Sequence, residues 1–292
     1  GESAEIIVSY EVVDAQGAVA TQSATITLTG TNDGPVIAST SASVDISEDV
    51  ANGGQLLDLG TGGEVSDVDV TDTVTARIVS VTESGAGTGA VAPADLLSFA
   101  TLPTGNGGTI IASGATNGAF GFSFNSDAAA DPFNYLGAGQ TLTLTYLVEV
   151  EDSFGATDTT EIVVNIVGGN DGPTVGFPLE LSGTEDQATP ATIDLLFGAY
   201  DADANAVLHV ENLTLPDGMT LSGSQLSVDL TDVSFQDLAE GQIREITLNY
   251  DVVDDQNASV PQTLTVTITG TNDAPEISLT SPDQDTAVLT ET

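Results

Sequence analysis

The chain has 292 residues, of which 44 are acidic and only two, Arg77 and Arg244, are basic, so its formal net charge is −42. This charge disfavours nucleic acids and anionic membranes as partners, because both would be repelled, and the acidic side chains need cations. Cysteine is absent, which excludes disulfides, zinc–thiolate sites and thiol nucleophiles. No apolar run approaches the length of a membrane span, so membrane insertion is not expected. No leader sequence begins at Gly1, so any secretion signal is expected to lie outside this stretch.

A hairpin-like pattern occurs three times and sets the organisation of the chain. Each copy has a Tyr- and Val-rich run, a short acidic turn, a Thr-rich run and an Asn-Asp-small-Pro ending. The copies cover residues 10–35, 148–173 and 250–275. When the turn aspartates are aligned, the asparagines and prolines of the endings coincide without a gap, which marks a tandem repeat. The aligned turn aspartates are Asp14, Asp152 and Asp254.

Both arms of each copy alternate apolar with polar residues, which is the period of a strand that buries one face. The first-arm residues predicted to face inward are Val8, Tyr10, Val12, Tyr146, Val148, Val150, Leu248, Tyr250 and Val252. Their second-arm counterparts are Ala24, Ile26, Leu28, Ile162, Val164, Ile166, Leu264, Val266 and Ile268. The fourth place of each turn suits a positive φ, because it holds Gly17, Gly155 or Asn257. Since no convincing helical period is present, the chain is predicted to be all-β, with several small antiparallel sandwiches.

The spacing of the repeats divides the chain into four segments. The predicted segments are the C-terminal hairpin of a truncated repeat (1–35), two complete repeats (36–173 and 174–275) and the first strand of a truncated next repeat (276–292). The first complete repeat is the longer one, mainly through a Gly- and Ala-rich region at 83–131. This region is expected to lengthen one or two hairpins.

Acidic residues recur at matching places in the two complete repeats. An acidic pair follows each repeat's proline, and an Asp-x-Asp motif follows the pair. A strand rises roughly 3.3 Å per residue, so the stretch from Pro35 to Glu48 spans about 40 Å, close to the length of one sandwich. Glu48 and the Asn-Asp ending are therefore expected at the far end of a repeat, and the Asp-x-Asp motif and turn aspartate at its near end.

Three clusters at the junctions between repeats follow from this counting. At the first junction, Asn32 and Asp33 are predicted to face Asp67, Asp69 and Asp152. At the second, Glu48, Asn170 and Asp171 are predicted to face Asp201, Asp203 and Asp254. At the third, Glu185, Asn272 and Asp273 are predicted to await a further domain.

These motifs resemble the VCBS and bacterial cadherin-like repeats of large secreted RTX-type adhesins and, more distantly, cadherin ectodomains. Thr271-Asn-Asp-Ala-Pro275 is similar to the cadherin interdomain linker, and Asp201-Ala-Asp203 is similar to the cadherin Asp-x-Asp motif. Val252-Val-Asp254 with Leu264–Ile268 resembles the last two strands of a cadherin domain. The resemblance implies tandem Ig-like or cadherin-like β-sandwiches in an elongated array, with Ca²⁺ at the interdomain junctions. It also implies an extracellular location on a bacterial cell surface.

The chemistry of the clusters also favours a metal. The second cluster offers six oxygen-bearing side chains without histidine or cysteine, and such a set in flexible loops favours Ca²⁺ over Mg²⁺ or a transition metal. A plainer interpretation stays open, because Asn-Asp-Gly-Pro makes a good turn without an ion and Asp-x-Asp is common on acidic surfaces. The acids recur in register at both ends of the repeats, so we favour the metal and predict Ca²⁺ as the bound ion.

No set of catalytic residues is recognisable, so no enzymatic activity is expected. The chain has no Gly-x-Ser-x-Gly or Ser-His-Asp constellation, and its paired carboxylates fall at predicted domain tips and not in a cleft. The single histidine, His209, lies in an alternating run and is interpreted as a strand residue. The predicted function is a calcium-rigidified extender, or stalk, of a giant bacterial adhesin that projects a distal binding domain for adhesion and biofilm formation. Its partners would be neighbouring repeats of the same chain and a cell-surface or matrix ligand bound elsewhere in the full protein.

An alternative function is ligand binding by the longer repeat through region 83–135, with a sugar, a peptide or a surface protein as ligand. The aromatic residues of this region are Phe99, Phe120, Phe122, Phe124, Phe133 and Tyr135. Phe120, Phe122 and Phe124 alternate like a buried strand face, which favours a core role. Exposed aromatic rings would favour the ligand-binding alternative, and buried ones the stalk. A third option is an accessory domain of an enzyme.

Overall fold

The computed structural model of the protein describes residues 3–38, 42–49, 57–125 and 132–273. The regular secondary structure of these residues is almost entirely strand, in several mainly antiparallel sheets, and the all-β sandwich prediction is confirmed. The chain divides into two compact units, Gly1–Gly169 and Asn170–Thr292. The repeat boundaries predicted from the sequence stay predictions, and the predicted strand in 276–292 lies outside the described residues.

The described part of the first unit contains eleven strands and a short helix between the sixth and seventh of them. The strands are β1 (Ser3–Val13), β2 (Val19–Thr29), β3 (Val36–Ile37), β4 (Ala42–Ser47), β5 (Leu57–Ser66), β6 (Val74–Gly85), β7 (Ala100–Thr101), β8 (Gly108–Ile111), β9 (Asn117–Phe124), β10 (Thr141–Asp152) and β11 (Thr157–Val167). Helix α1 (Pro93–Ser98) lies between β6 and β7. No helix within the described ranges has the length and apolar character needed to cross a bilayer.

Two sheets enclose the core of the first unit. One has the order β4-β11-β10-β6-β8 and the other β3-β5-β9-β7. Their inward side chains form one apolar core, in which Phe122, Tyr146 and Val164 are fully buried. The pair β4–β11 is parallel, whereas the other strand pairs of the unit are antiparallel. The first strand of this sheet therefore runs in the same direction as the last, so the chain enters the sandwich at one end and leaves at the other.

The second unit repeats this arrangement with shorter strands. Its strands are β12 (Thr174–Val175), β13 (Leu179–Thr184), β14 (Ala191–Asp194), β15 (Ala199–Tyr200), β16 (His209–Glu211), β17 (Met219–Ser222), β18 (Gln225–Val228), β19 (Ile243–Val253) and β20 (Ser259–Thr269). One sheet has the order β13-β20-β19-β16 and another β14-β18-β17, while β12 pairs with β15. The pair β13–β20 is parallel, like β4–β11. Leu226, Val252 and Val266 lie in the centre of the core.

The three predicted hairpins are β1–β2, β10–β11 and β19–β20, and they share one register. Tyr10 pairs with Gln22, and the equivalent pairs in the other copies are Val148 with Thr160 and Tyr250 with Gln262. The predicted positive φ at the fourth turn position is confirmed. The φ values are 89° at Gly17, 90° at Gly155 and 71° at Asn257.

The copies differ in what covers their inward faces. In the second and third copies the predicted inward residues are buried, and Val150 and Val252 have no exposed surface. In the first copy the equivalent Val12 is 57% exposed, and Tyr10 is 47% exposed. Among the described strands, β1 and β2 pair only with each other. The alternating pattern is therefore present in all three hairpins, but two of them have an apolar layer against it.

Region 83–135 lengthens the first unit in a different way from the predicted longer hairpins. It contains the end of β6, helix α1 and strands β7 to β9. The helix, which strand-like alternation did not predict, begins at Pro93, where the missing backbone N–H of proline costs nothing. The phenylalanines of region 83–135 are buried, and the rings of Phe99 and Phe133 meet edge to face with centroids 5.8 Å apart.

Candidate metal centres

Three aspartates converge at one end of the first unit. Asp67 directly follows β5, and Asp69 and Asp72 lie in the turn that leads into β6. A turn conformation holds them together, because the Asp69 N–H donates to Asp67 Oδ1 at 2.9 Å and the Asp72 N–H donates to the Asp69 carbonyl at 3.0 Å. One carboxylate oxygen from each residue can be chosen so that all three atoms lie within 4.8 Å of one another.

The linker between β2 and β3, which contains Asn32 and Asp33, is hydrogen-bonded to the same place. The Asn32 side-chain amide donates to Asp152 Oδ2 at 2.8 Å, and the Asp33 backbone N–H donates to Asp69 Oδ2 at 2.8 Å. Asp152 is the last residue of β10, and its Oδ1 accepts the backbone N–H groups of Phe154 and Ala156. The first predicted cluster, from Asn32 to Asp152, is thus brought together within one unit.

The electrostatics of this cluster are unfavourable without a cation. Asp67 and Asp72 are 2% and 1% exposed, and the Oδ2 atom of each has no hydrogen-bond donor among the described residues. Burial raises the pKa of Asp72, and the carboxylates of Asp67, Asp69 and Asp152 raise it further. Buried carboxylate oxygens without donors are costly unless a cation or a proton neutralises them. This donor set suits a hard divalent cation, which prefers oxygen ligands, so Asp67, Asp69 and Asp72 could hold a metal.

The second unit carries the same arrangement bond for bond. The Asn170 amide donates to Asp254 Oδ2 at 2.9 Å, and the Asp171 N–H donates to Asp203 Oδ2 at 3.1 Å. The Asp203 N–H donates to Asp201 Oδ1 at 2.9 Å, as Asp69 does to Asp67. Within the described part of the chain, Asp201 Oδ2 and Asp203 Oδ1 have no hydrogen-bond partner. Five of the six residues predicted for the second cluster therefore lie together in this unit.

In the second unit, the pKa of Asp203 is raised and the pKa of Asp254 is lowered. Burial raises the pKa of Asp203, and the carboxylates of Asp171, Asp201 and Asp254 add to the rise, against the lowering effect of the Asp171 N–H. Burial also acts to raise the pKa of Asp254, but hydrogen bonds from Asn170 and from the turn backbone outweigh it, and the net shift is downward. The turn aspartate is thus held as an anion by its donors, whereas Asp203 is held among other anions.

The two acidic loops, residues 67–72 in the first unit and 201–206 in the second, differ at one position that sequence reasoning missed. Asp72 has Ala206 as its counterpart, and the Ala206 N–H donates to the Asp203 carbonyl at 3.2 Å in the same turn. The first loop therefore has a third carboxylate where the second has a methyl group. The spacing Asp67-x-Asp69-x-x-Asp72 was the available signal, since a turn brings residues at that spacing together.

The remaining predicted residues lie at the opposite ends of the two sandwiches. Glu48 is buried, and its Oε1 accepts the Gly169 N–H at 2.5 Å. Glu185 is buried in the same way, with Oε1 accepting the Thr271 N–H at 2.6 Å. Asn272 and Asp273 follow Thr271 and are exposed. The assignment of Glu48 to the cluster of the second unit, and of Glu185, Asn272 and Asp273 to a third cluster, stays a prediction.

The other sequence candidates have ordinary structural roles. His209 is an exposed residue of β16, as interpreted, and its Nε2 lies 3.1 Å from Glu211 Oε1. The five phenylalanines of region 83–135 are core residues, which removes the aromatic surface on which the ligand-binding alternative depended.

Comparisons with known proteins find similarity among solved structures alone. The chain matches no protein-family model and no curated protein sequence. Among solved structures it is similar to protocadherin gamma B2 extracellular cadherin domains 1–5, at 20% identity and a TM-score of 0.45, covering 92% of this chain and 45% of that one. It is also similar to mouse cadherin-23 EC22-24, at 15% identity and a TM-score of 0.47, covering 91% of this chain and 74% of that one. With TM-scores below 0.5, these similarities carry no functional argument.

Proposed function

We propose that this chain is a calcium-binding segment of the stalk of an extracellular adhesion protein, in which ions hold successive sandwich repeats in line. The observation that carries the proposal is the duplicated contact between an Asn-Asp linker and a carboxylate loop. In both units the linker donates one hydrogen bond to the Asp-x-Asp loop and one to the turn aspartate of the hairpin. The loop keeps buried carboxylate oxygens without donors in the described part of the chain.

Calcium is the ion that suits these donors best. The ligand atoms would be carboxylate oxygens on turns, and Ca²⁺ accepts six to eight oxygen ligands in irregular geometry. Mg²⁺ demands a stricter octahedron and soft metals prefer sulfur or imidazole, which these loops do not offer. In the first unit Asp67, Asp69 and Asp72 would hold the ion, and in the second Asp201 and Asp203 would do so.

Binding at these loops would have a mechanical consequence. A cation would neutralise the densest charge of a chain with a net charge of −42 and would fix the linker backbone at Asp33 and Asp171 against its loop. Folded-state binding adds stability by mass action, about 2.7 kcal/mol per site at a hundredfold excess over the dissociation constant. Weak sites suffice at extracellular calcium concentrations. The proposed role is therefore to carry load and set reach, and the adhesive contact is made by another part of the protein.

The proposal is tested by calcium titration and small-angle scattering of the full chain. Native protein is expected to bind calcium with heat release, to melt at a higher temperature and to show a larger maximum dimension than in chelator. The double variant Asp201→Ala/Asp203→Ala should lose the calcium response of the second unit while both sandwiches stay folded.

Asp14→Asn is a matched control for these substitutions. Asp14 makes the same turn bonds, to the N–H groups of Gln16 and Ala18, but the described residues place no acidic loop against it. Calcium binding by this variant is expected to equal that of native protein. A native melting temperature and maximum dimension that do not respond to chelator would show that the loops are solvated surface, and the proposal would fail.

A further inference from the structure

One edge of the second unit's main sheet is left open where the first unit's is closed. In the first unit, β6 pairs with β10 along its whole length, from Leu142 to Asp152. In the second unit, β16 occupies the equivalent place but pairs only with Asp251–Val253 of β19. Within the described ranges, no strand pairs with Ile243–Tyr250 on the side away from β20. We call this stretch, Ile243–Tyr250, the β19 edge.

Side-chain exposure gives independent support for the open edge. The outward residues of β10 are all half-buried, because strands flank them on both sides. Those of β19 are exposed until Asp251, the residue at which β16 begins, and there they become half-buried. The exposed outward residues are Ile243, Glu245, Thr247 and Asn249. The missing neighbour is therefore visible in the exposure of these side chains as well as in the strand pairing.

An open edge of this length can accept another strand. Every second residue of an edge strand points its N–H and C=O groups away from the sheet, and an added strand satisfies them by β-augmentation. Natural sheets protect exposed edges with prolines, bulges, short strands or charged side chains, and of these the β19 edge has the charges of Arg244 and Glu245. Residues 243–250 contain no proline, and β19 pairs with β20 without a register shift.

We propose that the β19 edge binds an extended segment of another protein, which adds antiparallel to β19, as β6 adds to β10, and carries basic residues on its outward face. The charge of the site favours this occupant. An added strand places its outward side chains beside Glu245 and Asn249, with Asp251 at the end of the edge, and opposite charges across neighbouring strands stabilise a sheet. The nearby Arg244 is already paired with Asp237 at 2.7 Å. A second copy of this chain would bring the same acids together and would be repelled.

A groove beside the β19 edge also favours a basic side chain. Its lining includes Asn212, Asn249 and Asp251 together with Phe177 and Pro261. The Phe177 ring is 55% exposed and meets Phe197 edge to face, with centroids 6.2 Å apart. Carboxylate, amide and aromatic groups together suit a lysine or arginine side chain, through ion pairing, hydrogen bonds and cation–π contact. A basic residue of the added strand near Asn249 would enter this groove.

The test uses the full chain and two synthetic peptides. One alternates valine with lysine and threonine, and the other has glutamate in place of lysine. The lysine peptide is expected to bind at least about tenfold more tightly, a difference of about 1.4 kcal/mol. It should also slow hydrogen exchange of backbone amides in 243–250. Binding and protection should be the same in calcium and in chelator, because no residue of 243–250 belongs to the acidic cluster of the second unit.

Two charge-reversal variants localise the effect. Glu245→Lys should weaken binding of the lysine peptide and strengthen binding of the glutamate peptide, each about tenfold. Glu180→Lys makes the same charge change at an exposed position of β13, the strand at the opposite edge of the same sheet, and should change neither affinity. Absence of binding, equal effects of both variants, or protection outside 243–250 would overturn the proposal. So would a peptide-free dimer protected at 243–250, since it would assign the edge to a second copy.

Discussion

The hairpins β1–β2 and β10–β11 have the same alternation, the same turn geometry and the same register, yet their surroundings are opposite. Val150 is fully buried in the first unit's core, whereas its equivalent in the first hairpin, Val12, is 57% exposed. The third copy, β19–β20, lies between these extremes, with a covered inward face and a largely open edge. Alternation thus specifies a strand with two unlike faces, and the rest of the fold decides which faces and edges are covered.

The largest difference between copies is expected in hydrogen exchange. In native protein, amides of β10 from Leu142 to Leu147 should all be protected, because β6 and β11 pair with both edges. In β19, alternate amides between Ile243 and Tyr250 should exchange more than about a hundredfold faster than their β10 equivalents, because exposed hydrogen-bonding groups exchange without unfolding. Exchange measured by NMR at single residues checks this. Uniform protection along β19 would show that the edge is closed in solution.

A matched set of valine substitutions measures how much burial of the inward face of a hairpin contributes to the free energy of unfolding. Val150→Ala and Val252→Ala remove two methyl groups from fully buried positions and should each lower the free energy of unfolding of their unit by about 2 kcal/mol. Val12→Ala changes the equivalent exposed residue and should stay within about 0.5 kcal/mol of native protein. Chemical denaturation of the full chain gives all three values. A loss at Val12 as large as at Val150 would mean that the first hairpin is covered in solution.

The third prediction concerns the loops that face the hairpin turns. Asp72→Ala should weaken calcium binding at the first loop about tenfold, because one charged ligand is lost, and Ala206→Asp should strengthen it at the second loop by a similar factor. Each site is measured by calorimetry with the other silenced, by Asp201→Ala/Asp203→Ala or by Asp67→Ala/Asp69→Ala. If Asp72→Ala left the first affinity unchanged, the carboxylate difference between the loops would have no bearing on the ion.

The smallest effect is expected at the linker asparagines. Burial acts to raise the pKa of Asp152, but the Asn32 amide and the backbone of Ala156 and Phe154 outweigh it and lower the pKa. Because the folded pKa lies below the ordinary 3.8, the stabilisation is complete above that value and is lost as pH falls through the folded pKa. Asn32→Ala should raise the folded pKa of Asp152 towards the ordinary value, so that less stabilisation is lost on acidification and the loss is complete at a higher pH.

Asn170→Ala provides a matched second case for the linker prediction. Asp254 has the same donors as Asp152, namely one linker asparagine and the backbone of its own turn, and its pKa is also lowered. Carbon-detected NMR titration in chelator, which removes any effect of the ion, reads each carboxylate directly. Unchanged titration of both aspartates in both variants would show that the linker bonds do not form in solution.

Several features followed from residues that are neighbours in sequence. Period-two alternation predicted the long strands, and the acidic turns with glycine or asparagine predicted the positive φ of Gly17, Gly155 and Asn257. Counting strand lengths predicted that the Asn-Asp linker lies beside the Asp-x-Asp motif and the turn aspartate, and Asp33 donates to Asp69 while Asn32 donates to Asp152. Pleating and turn geometry arise within a few residues, so a single sequence contains them.

Other features depended on residues far apart in the chain. The burial of Val150, the exposure of Val12 and the open β19 edge are set by which strands pack together. Helix α1 and the burial of the phenylalanines in region 83–135 likewise depend on the core that the two sheets enclose. The sequence by itself determined the strands, the repeat register and the position of the acidic loops. Tertiary structure decided which faces, edges and carboxylates are covered, because cover comes from elements joined across the sheets.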